Sequence, residues 1–296
     1  GQTALKNRFK ELGLKHSEGF AKIPLQDETF IRYAGLDVIL TARLLPKLLV
    51  EIKPSFSHLI NFEHDVQRIT TAMTERGMTV DTHYTRGLLH DLETEQIDAQ
   101  RHARHLGVEN VNSTKQVADA LISRGCQLTD RTPSGQFKVD KQILSQLDDP
   151  LAKAVLIAKE ASKASSSWVT PILEHGMIDG RVHCRMKTLA ARTSRMSISN
   201  PPLQQLPSND HRIRTCLTAD EGMSLVACDF KQIEFRVLAA LSQEKHMIDA
   251  ILNGHDLHDM TASRLFGDDF TSKHRKLAKG VGFGKVYGGG KSTLAR

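Results

Sequence analysis

Apolar residues recur at helical spacing along most of this 296-residue chain. The helices that this spacing predicts before Gly176 cover residues 28–50, 56–76, about 82–105, the run that follows the N-cap candidates Asn112 and Ser113, DKQILSQL, and about 150–174. Pro54 and Gly77 follow the first two helices and are typical of helix ends. Two long helices among shorter ones indicate a helical subdomain.

The pattern changes after Gly176, where short apolar runs predict strands. Strands are expected at residues 180–190 and 222–230, and GMSLVACDF (222–230) is the clearer of the two. MTVD (78–81) predicts a further short strand or turn. Helices are then predicted at about 232–242, 244–252, 256–266 and 271–294. This order predicts an α+β fold that is mostly helical.

Composition is ordinary for a soluble globular protein, with 40% apolar and 25% charged residues. The formal net charge is +6, and the basic residues are unevenly placed. From Arg181 to Arg214 the chain carries seven basic residues against one acid, Asp210. A basic stretch of this kind is compatible with nucleic-acid binding.

The four cysteines lie far apart and form no C-x-x-C pair, which disfavours a zinc site or a disulfide framework. No apolar run approaches transmembrane length, and no signal peptide opens the sequence. We therefore expect a protein of a reducing compartment, without a membrane partner. The chain begins with Gly1 and stops within a helical pattern, so we expect a fragment.

A glycine run followed by Lys291 and Ser292 resembles a phosphate-binding P-loop. A P-loop, however, requires a glycine five positions before Gly290, and Lys285 stands there. The preceding residues are also polar and basic, whereas a P-loop follows a buried strand. The spacing therefore argues against a P-loop.

The same C-terminal stretch places Arg275, Lys279, Phe283 and Tyr287 four residues apart. On a helix these positions share one slowly rotating face, which would present two cations and two aromatic rings together. The alternative is a solvated basic face whose aromatic residues turn toward the core.

Two further segments carry residues suited to metal binding and to nucleic-acid contacts. In DFKQIEFRVLAAL (229–241), Asp229 ends a predicted strand, a place that fixes a carboxylate for a metal such as Mg²⁺. An acidic first helical turn is the alternative for Asp229 and Glu234. In RTSRMSISNPPLQQLPS (192–208), Arg, Ser, Thr and Gln are donors for phosphates and base edges, and an ordinary polar loop is the alternative.

The order of these segments resembles the family A DNA polymerases of bacteria and phages. The pattern T-x-R-x-S…P-x-L-Q-x-x-P runs from Thr193 to Pro207, D-x-x-Q-I-E-x-R from Asp229 to Arg236, and R-x3-K-x3-F-x3-Y-G from Arg275 to Gly288. GHDLHDMTASRLFG (254–267) and the Trp168 region are also similar to the family, and YAGLD (33–37) resembles the last motif of its 3′–5′ exonuclease.

The resemblance implies part of a right-hand polymerase architecture. Residues 1–52 would be the end of an exonuclease domain, 53–178 the connector and helical thumb, 179–242 part of the palm sheet, and 243–296 part of the fingers helices. Template-directed DNA synthesis, with Mg²⁺ as the cofactor and primer-template DNA and dNTPs as partners, is the implied function.

The resemblance also implies roles for single residues. Asp229 would be a catalytic metal ligand, and Lys279 would act in catalysis and in nucleotide binding. Glu234, His258, Arg275, Phe283 and Tyr287 would complete the nucleotide site. The residues expected to contact DNA are Arg195, Gln204, Gln205 and Arg236, and those expected to remain from the exonuclease are Tyr33 and Asp37.

The chain departs from the family pattern at several positions. Phe230-Lys231 replaces Tyr-Ser, Gly280 and Gly282 replace Ala and Asn, Ser194 replaces a glycine, and Pro202 replaces Asn. The last palm motif, His-Asp-Glu, and the first two exonuclease motifs are absent from the sequence. Two-metal phosphoryl transfer needs two carboxylates, so the chain alone is expected to be inactive. A second polypeptide that carries the rest of the palm is a further candidate partner.

Two other interpretations remain open at this stage. One is a non-catalytic nucleic-acid-binding remnant of a polymerase, although binding alone needs neither Asp229 nor Glu234. The other is a relative of the single-subunit RNA polymerases, which share the Arg, Lys and Tyr of the last helix. Gln232-Ile233-Glu234 favours the DNA enzyme over this relative.

Overall fold

The computed structural model describes residues 2–208 and 210–291, most of which are helical. The chain divides into two compact units, residues 1–224 and 225–296. Nowhere in the described ranges does a helix combine the length and the apolar character needed to cross a membrane. The mostly helical α+β fold class expected from the sequence is confirmed, and the four predicted subdomain boundaries stay predictions.

Three helices open the first unit: α1 (Gln2–Glu11), α2 (His16–Lys22) and α3 (Glu28–Glu51). They bury a small apolar cluster of Leu5, Phe9 and Ile23. Asp27 is the N-cap of α3, because its carboxylate accepts hydrogen bonds from the N–H groups of Thr29 and Phe30. The helix predicted at 28–50 is confirmed, and no residue of α3 is buried despite its apolar sequence.

The next elements also confirm their predictions. Helix α4 (Ser57–Arg76) follows a 3-10 turn and ends at Gly77, whose φ of +63° lies where glycine is favoured. Strand β1 (Met78–Val80) and the long helix α5 (Thr82–His105) come next.

A second group of helices packs against α5. Ser113 caps α6 (Thr114–Ser123), since its hydroxyl accepts from the N–H of Gln116. The short α7 (Lys141–Leu144) precedes α8 (Pro150–Ala164). The largest side chains buried in the core shared by α5, α6 and α8 are Leu121, Leu144, Leu151, Val108, Val117 and Val155.

The long helix predicted at 150–174 continues further than expected. Helix α8 passes through a π-helical turn, Ser165–Val169, into α9 (Thr170–Asp179). Pro171 has no backbone N–H that could bond to the preceding helical turn. The π-helical turn before it shifts the backbone hydrogen-bond pattern, so the helix continues without a donor at this position. Gly180, at φ +82°, ends the helix.

Two small antiparallel sheets follow α9. In the first, β1 lies between β2 (Arg181–Val182) and β5 (Leu217–Thr218), with Thr79 opposite both Arg181 and Thr218. In the second, β3 (Arg185–Lys187) pairs with β4 (Ser197–Ser199). The strand predicted at 180–190 is therefore two short strands. A 3-10 turn, Leu203–Gln205, and α10 (His211–Thr215) complete this region.

The strand predicted at residues 222–230 is wrong, because these residues have no regular secondary structure. Leu225 is 60% exposed and Val226 is 81% exposed, so the apolar run is not packed. A strand is stable only when its backbone groups pair with a neighbour, and no strand within the described ranges lies alongside.

The second unit contains α11 (Ile233–Ser242), α12 (Lys245–Leu252), α13 (Leu257–Phe266) and α14 (Ser272–Val286). These helices bury Phe235, Ala250 and Leu257. The prediction that the last helix runs to about residue 294 is wrong. Helix α14 ends at Val286, and Gly288, at φ +79°, follows in a turn. The glycine run favours chain reversal over continued helix.

Candidate functional site

The second unit contains an open cleft of about 410 Å³ between the loop before α11, the start of α13 and one face of α14. Its lining contains six of the residues that the sequence predicted for catalysis or nucleotide binding: Asp229, Glu234, His258, Arg275, Lys279 and Phe283. The fold therefore brings together residues that lie more than 50 positions apart in the chain.

Helix α14 presents three of these side chains. It begins with a capping box, in which the Thr271 hydroxyl accepts from the N–H of His274 and the His274 ring accepts from the N–H of Thr271. This cap offsets part of the cost of three glycines inside the helix. Arg275, Lys279 and Phe283 then lie on successive turns and line the cleft.

Tyr287 does not share this cleft, which corrects the prediction of four residues on one face. It is the C-cap of α14, it is 68% exposed, and it lines a separate apolar groove with residues of α11 such as Val237 and Leu241. Helix α14 ends at Val286, so Tyr287 lies just outside it and does not continue the helical face formed by Arg275, Lys279 and Phe283.

Three rings form the apolar wall of the cleft. The centroid of Phe235 lies 5.1 Å from that of His258 and 5.1 Å from that of Phe283, and His258 lies 5.7 Å from Phe283. The two contacts of Phe235 are edge-on or tilted, as aromatic pairs prefer. This cluster fixes the orientation of His258 and Phe283 before any ligand arrives.

His258 is 5% exposed, and this burial lowers the pKa of its imidazole below the ordinary value. The nearby positive charges of Lys279 and Arg275 lower it further, while the Asp256 and Asp259 carboxylates oppose them. His258 is therefore neutral near pH 7 and offers one ring donor and one ring acceptor.

Arg275 is held by two carboxylates that the sequence analysis did not identify. Its Nη2 donates to Asp256 Oδ2 at 2.8 Å, and its Nε donates to Asp259. Burial alone would raise the pKa of Asp256, but hydrogen bonds from the N–H groups of Asp259 and His258, together with Arg275, outweigh it and lower the pKa. Asp256 and Asp259 lie 19 and 16 residues before Arg275 in the sequence. This separation is too large for a local sequence pattern to reveal the pairing.

Lys279 has a different environment from Arg275. Its ammonium lies 5.9 Å from the centre of the Phe283 ring, at the outer limit of a cation–π contact. No carboxylate in the part of the chain that the structure describes lies within ion-pair distance of it. Lys279 is thus a cation of the cleft that is available to an anionic ligand.

The loop before α11 supplies the acidic side of the cleft. Asp229 is exposed in it, and Glu234 lies in the first turn of α11. Gln232 adopts a left-handed backbone with φ +53°, and its Oε1 accepts from the N–H of Leu257 at 3.3 Å. Arg236, predicted to contact DNA, donates from Nε to the Lys231 carbonyl at 2.8 Å and so holds the loop.

The donors present do not complete a metal site. Asp229 provides one carboxylate, and within residues 2–208 and 210–291 no group of three or more His, Cys, Asp or Glu side chains could hold an ion together. Asp256 is committed to a helix cap and to Arg275. A magnesium ion bound at Asp229 would therefore need ligands from outside these residues.

In the first unit, the residues predicted to contact DNA have unequal environments. The amide of Gln204 is used to hold β4, accepting from the N–H of Ile198 at 3.0 Å and donating to the Met196 carbonyl at 3.4 Å. Gln205 and Arg195 are exposed. Gln205 is therefore better placed than Gln204, whose amide is already bonded, to reach a nucleic acid.

Tyr33 and Asp37, predicted to remain from an exonuclease, lie one turn apart on α3. A hydrogen bond to the Asp37 carboxylate, followed by burial, raises the pKa of the Tyr33 phenol. The two residues therefore lie on the same face of α3.

The sequence and the fold are similar to those of known proteins. The sequence pattern of the family described as DNA polymerase family A matches residues 82–296. The DNA polymerases of Mycobacterium phages D29 and L5 are each 36% identical over 98% of this chain, and the match covers 50% and 49% of those proteins. DNA polymerase I of Synechocystis is 32% identical over 97% of this chain and 30% of its own length.

A solved structure is similar as well. The POL domain of Pol1 from M. smegmatis, in complex with DNA primer-template and dNTP, aligns with a TM-score of 0.69 and 29% identity. The alignment covers 79% of this chain and 43% of that chain. This chain spans about half the length of the phage relatives it matches.

Proposed function

Since this chain belongs to DNA polymerase family A, we propose that it is part of a template-directed DNA polymerase and that its cleft binds the incoming deoxynucleoside triphosphate. The observation that carries the proposal is the convergence of Asp229, His258, Arg275 and Lys279 in one cleft. In this proposal primer-template DNA and dNTPs are the partners, and the protein acts in the cytoplasm of a bacterial cell or a phage-infected host.

Lys279 is the main phosphate ligand in this proposal. Its ammonium is a compact charge on a rigid helix, and fixed cations stabilise the negative charge that develops during phosphoryl transfer. His258, kept neutral by its burial, donates a ring N–H to a phosphate oxygen. Since Phe235 and Phe283 already pack against it, little ordering is needed when the ligand binds.

Phe283 offers a ring face beside these cations, and we assign to it the positioning of the nucleotide base by stacking. Glu234 closes the side of the cleft where the sugar would lie and disfavours a 2′-hydroxyl. Tyr287 lines the adjoining groove together with Glu234, and in this proposal it meets the new base pair from that side.

Magnesium chemistry requires more carboxylates than Asp229. We propose that they come from the remaining palm, supplied by a second polypeptide or by further sequence. Arg195, Gln205 and Arg236 would contact the primer-template, with Gln204 supporting them through β4. Tyr33 and Asp37 would belong to the end of a proofreading exonuclease.

Calorimetric titration of the purified chain with dATP tests the nucleotide site. Loss of a charged hydrogen-bond donor costs about 1.5–3 kcal/mol, so Lys279→Ala should weaken binding on the order of 10- to 100-fold. Lys285→Ala is the matched control, because Lys285 is exposed on the same helix but does not line the cleft. Equal weakening in both variants would show that the cleft is not the phosphate site.

Primer extension tests the need for further carboxylates. With Mg²⁺ and all four dNTPs, the 296-residue chain alone should give no product above background. Robust extension would contradict the proposed missing ligands while leaving the nucleotide site intact.

A further inference from the structure

The two carboxylates that hold Arg275 are fixed to different degrees. Asp256 is anchored, because its Oδ1 accepts from the N–H groups of His258 at 2.8 Å and Asp259 at 3.2 Å while its Oδ2 accepts from Arg275. Its side chain is 14% exposed. The side chain of Asp259 is 45% exposed, and its ion pair is with Arg275. Asp259 can therefore rotate into solvent, whereas Asp256 cannot leave without uncapping α13.

The guanidinium retains unused donors in this arrangement. Arginine has five N–H groups in a fixed fork, and the two carboxylates accept from Nε and Nη2. Among the described residues no acceptor contacts Nη1. One edge of the Arg275 guanidinium is thus hydrogen-bonded to protein carboxylates, and the other edge can still bind an anion.

The carboxylates around Arg275 oppose a polyanionic ligand as long as Asp259 stays in place. Asp256 and Asp259 both lie within hydrogen-bond distance of the guanidinium. Phosphates that approach Arg275 therefore meet two like charges, and each like-charge contact weakens their binding.

We propose that Asp259 is an internal competitor for the triphosphate: it occupies Arg275 in the empty cleft, and the incoming phosphates displace it while Asp256 keeps the guanidinium anchored. This inference rests on the proposed function of the cleft. In this proposal Asp259 lowers the affinity for the triphosphate, so its replacement should strengthen binding. Replacement of a residue that only supports the fold should weaken binding instead.

The test uses inorganic tripolyphosphate as the probe, in EDTA so that no metal takes part, with calorimetric detection on the full chain. Asp259→Asn should bind tripolyphosphate about two- to fivefold more tightly than the wild type, since the competing ion pair is partly exposed and modest in strength. The gain should shrink as salt rises. Deoxyadenosine, which carries no phosphate, should show no gain.

Two variants provide the controls. Asp249→Asn removes one negative charge from an exposed position of the same unit that makes no ion pair with Arg275, and its affinity should match the wild type. Asp256→Asn should weaken binding, because it loosens both Arg275 and the cap of α13. Asp259→Ala should reproduce the gain of Asp259→Asn.

The outcomes separate this inference from the function on which it rests. If Lys279→Ala weakens binding but Asp259→Asn binds no more tightly than the wild type or Asp249→Asn, the competitor role is wrong and the phosphate site stands. If the wild type and Asp259→Asn both fail to bind tripolyphosphate, the cleft is not a phosphate site and both proposals are overturned.

Discussion

Gly282 of α14 faces the ring of Phe235 on α11, and a β-carbon at position 282 would lie 3.1 Å from the ring Cζ. This distance is shorter than ordinary van der Waals contact, so the two helices approach closely because residue 282 has no side chain. Phe235 in turn contacts His258 and Phe283. The glycine thus supports the aromatic wall of the candidate nucleotide cleft.

This contact distinguishes two glycines of the same helix. A β-carbon at Gly280 meets no atom within 4 Å, so Gly280→Ala should stabilise the protein by about 0.5–1 kcal/mol through helix propensity. Gly282→Ala should lose that gain, because overpacking against Phe235 costs about 1–3 kcal/mol. Urea unfolding of the two variants measures the difference, and equal stabilities would show that the contact relaxes without cost.

Ser194 carries backbone strain in the loop between β3 and β4. Its φ of +59° is left-handed, a conformation that costs a side-chain-bearing residue about 1–2 kcal/mol. Ser194→Gly should therefore stabilise the protein by up to about 1 kcal/mol, and the β-branched Ser194→Val should destabilise it by at least as much. The midpoint of urea unfolding should rise for the first variant and fall for the second, and the reverse order would contradict the assigned strain.

His183 makes the stability of the first unit depend on pH. Its Nδ1 lies 2.7 Å from the Thr74 carbonyl and its Nε2 lies 2.9 Å from Asp179 Oδ2. The bond to Thr74, then that to Asp179, raises the pKa of His183, because both acceptors favour the doubly protonated ring. A raised pKa stabilises the fold fully below the unfolded value of about 6.5, and this contribution is lost as pH rises through the folded value.

Unfolding experiments between pH 5.5 and about 8 check this dependence. The wild type should lose stability toward the alkaline end, and His183→Gln should show a flatter profile. His83→Gln, at an exposed histidine of the same unit, is the control and should keep the wild-type profile. If His183→Gln kept the wild-type dependence of stability on pH, His183 would not be the source of that dependence.

Binding to primed DNA should depend steeply on salt, and only part of the basic stretch should contribute. Lys187 and Arg192 are exposed, whereas Arg212 is paired with Asp210 at 2.9 Å. Each lost phosphate contact reduces the slope of log K against log salt by about 0.9. Lys187→Gln with Arg192→Gln should therefore lower the slope by about 2, and Arg212→Gln should change it less.

Fluorescence anisotropy of a labelled primer-template at several salt concentrations gives these slopes. If the Arg212→Gln slope falls as far as that of the double variant, the ion pair with Asp210 does not keep Arg212 from the DNA. A wild-type affinity that is flat with salt would rule out phosphate contacts as the main source of binding.

The sequence by itself determined the helices and the family. Helical hydrogen bonds join residues four positions apart, and caps such as Ser113 act within three residues, so both are visible in a local pattern. The turn glycine Gly77 was identified as a helix end for the same reason. The three motifs that resemble family A led to the correct family because each is a short run with fixed spacing.

Only the tertiary structure decided which apolar run is a strand and which side chains meet. Residues 222–230 have a strand-like composition, but a strand forms only beside a partner that can lie anywhere in the sequence. The pairing of Arg275 with Asp256 and Asp259, and the placement of Tyr287 outside the cleft, depend on how helices end and pack. Local hydrogen bonds are encoded within one turn of the chain, whereas these contacts form only when distant segments are brought together by folding.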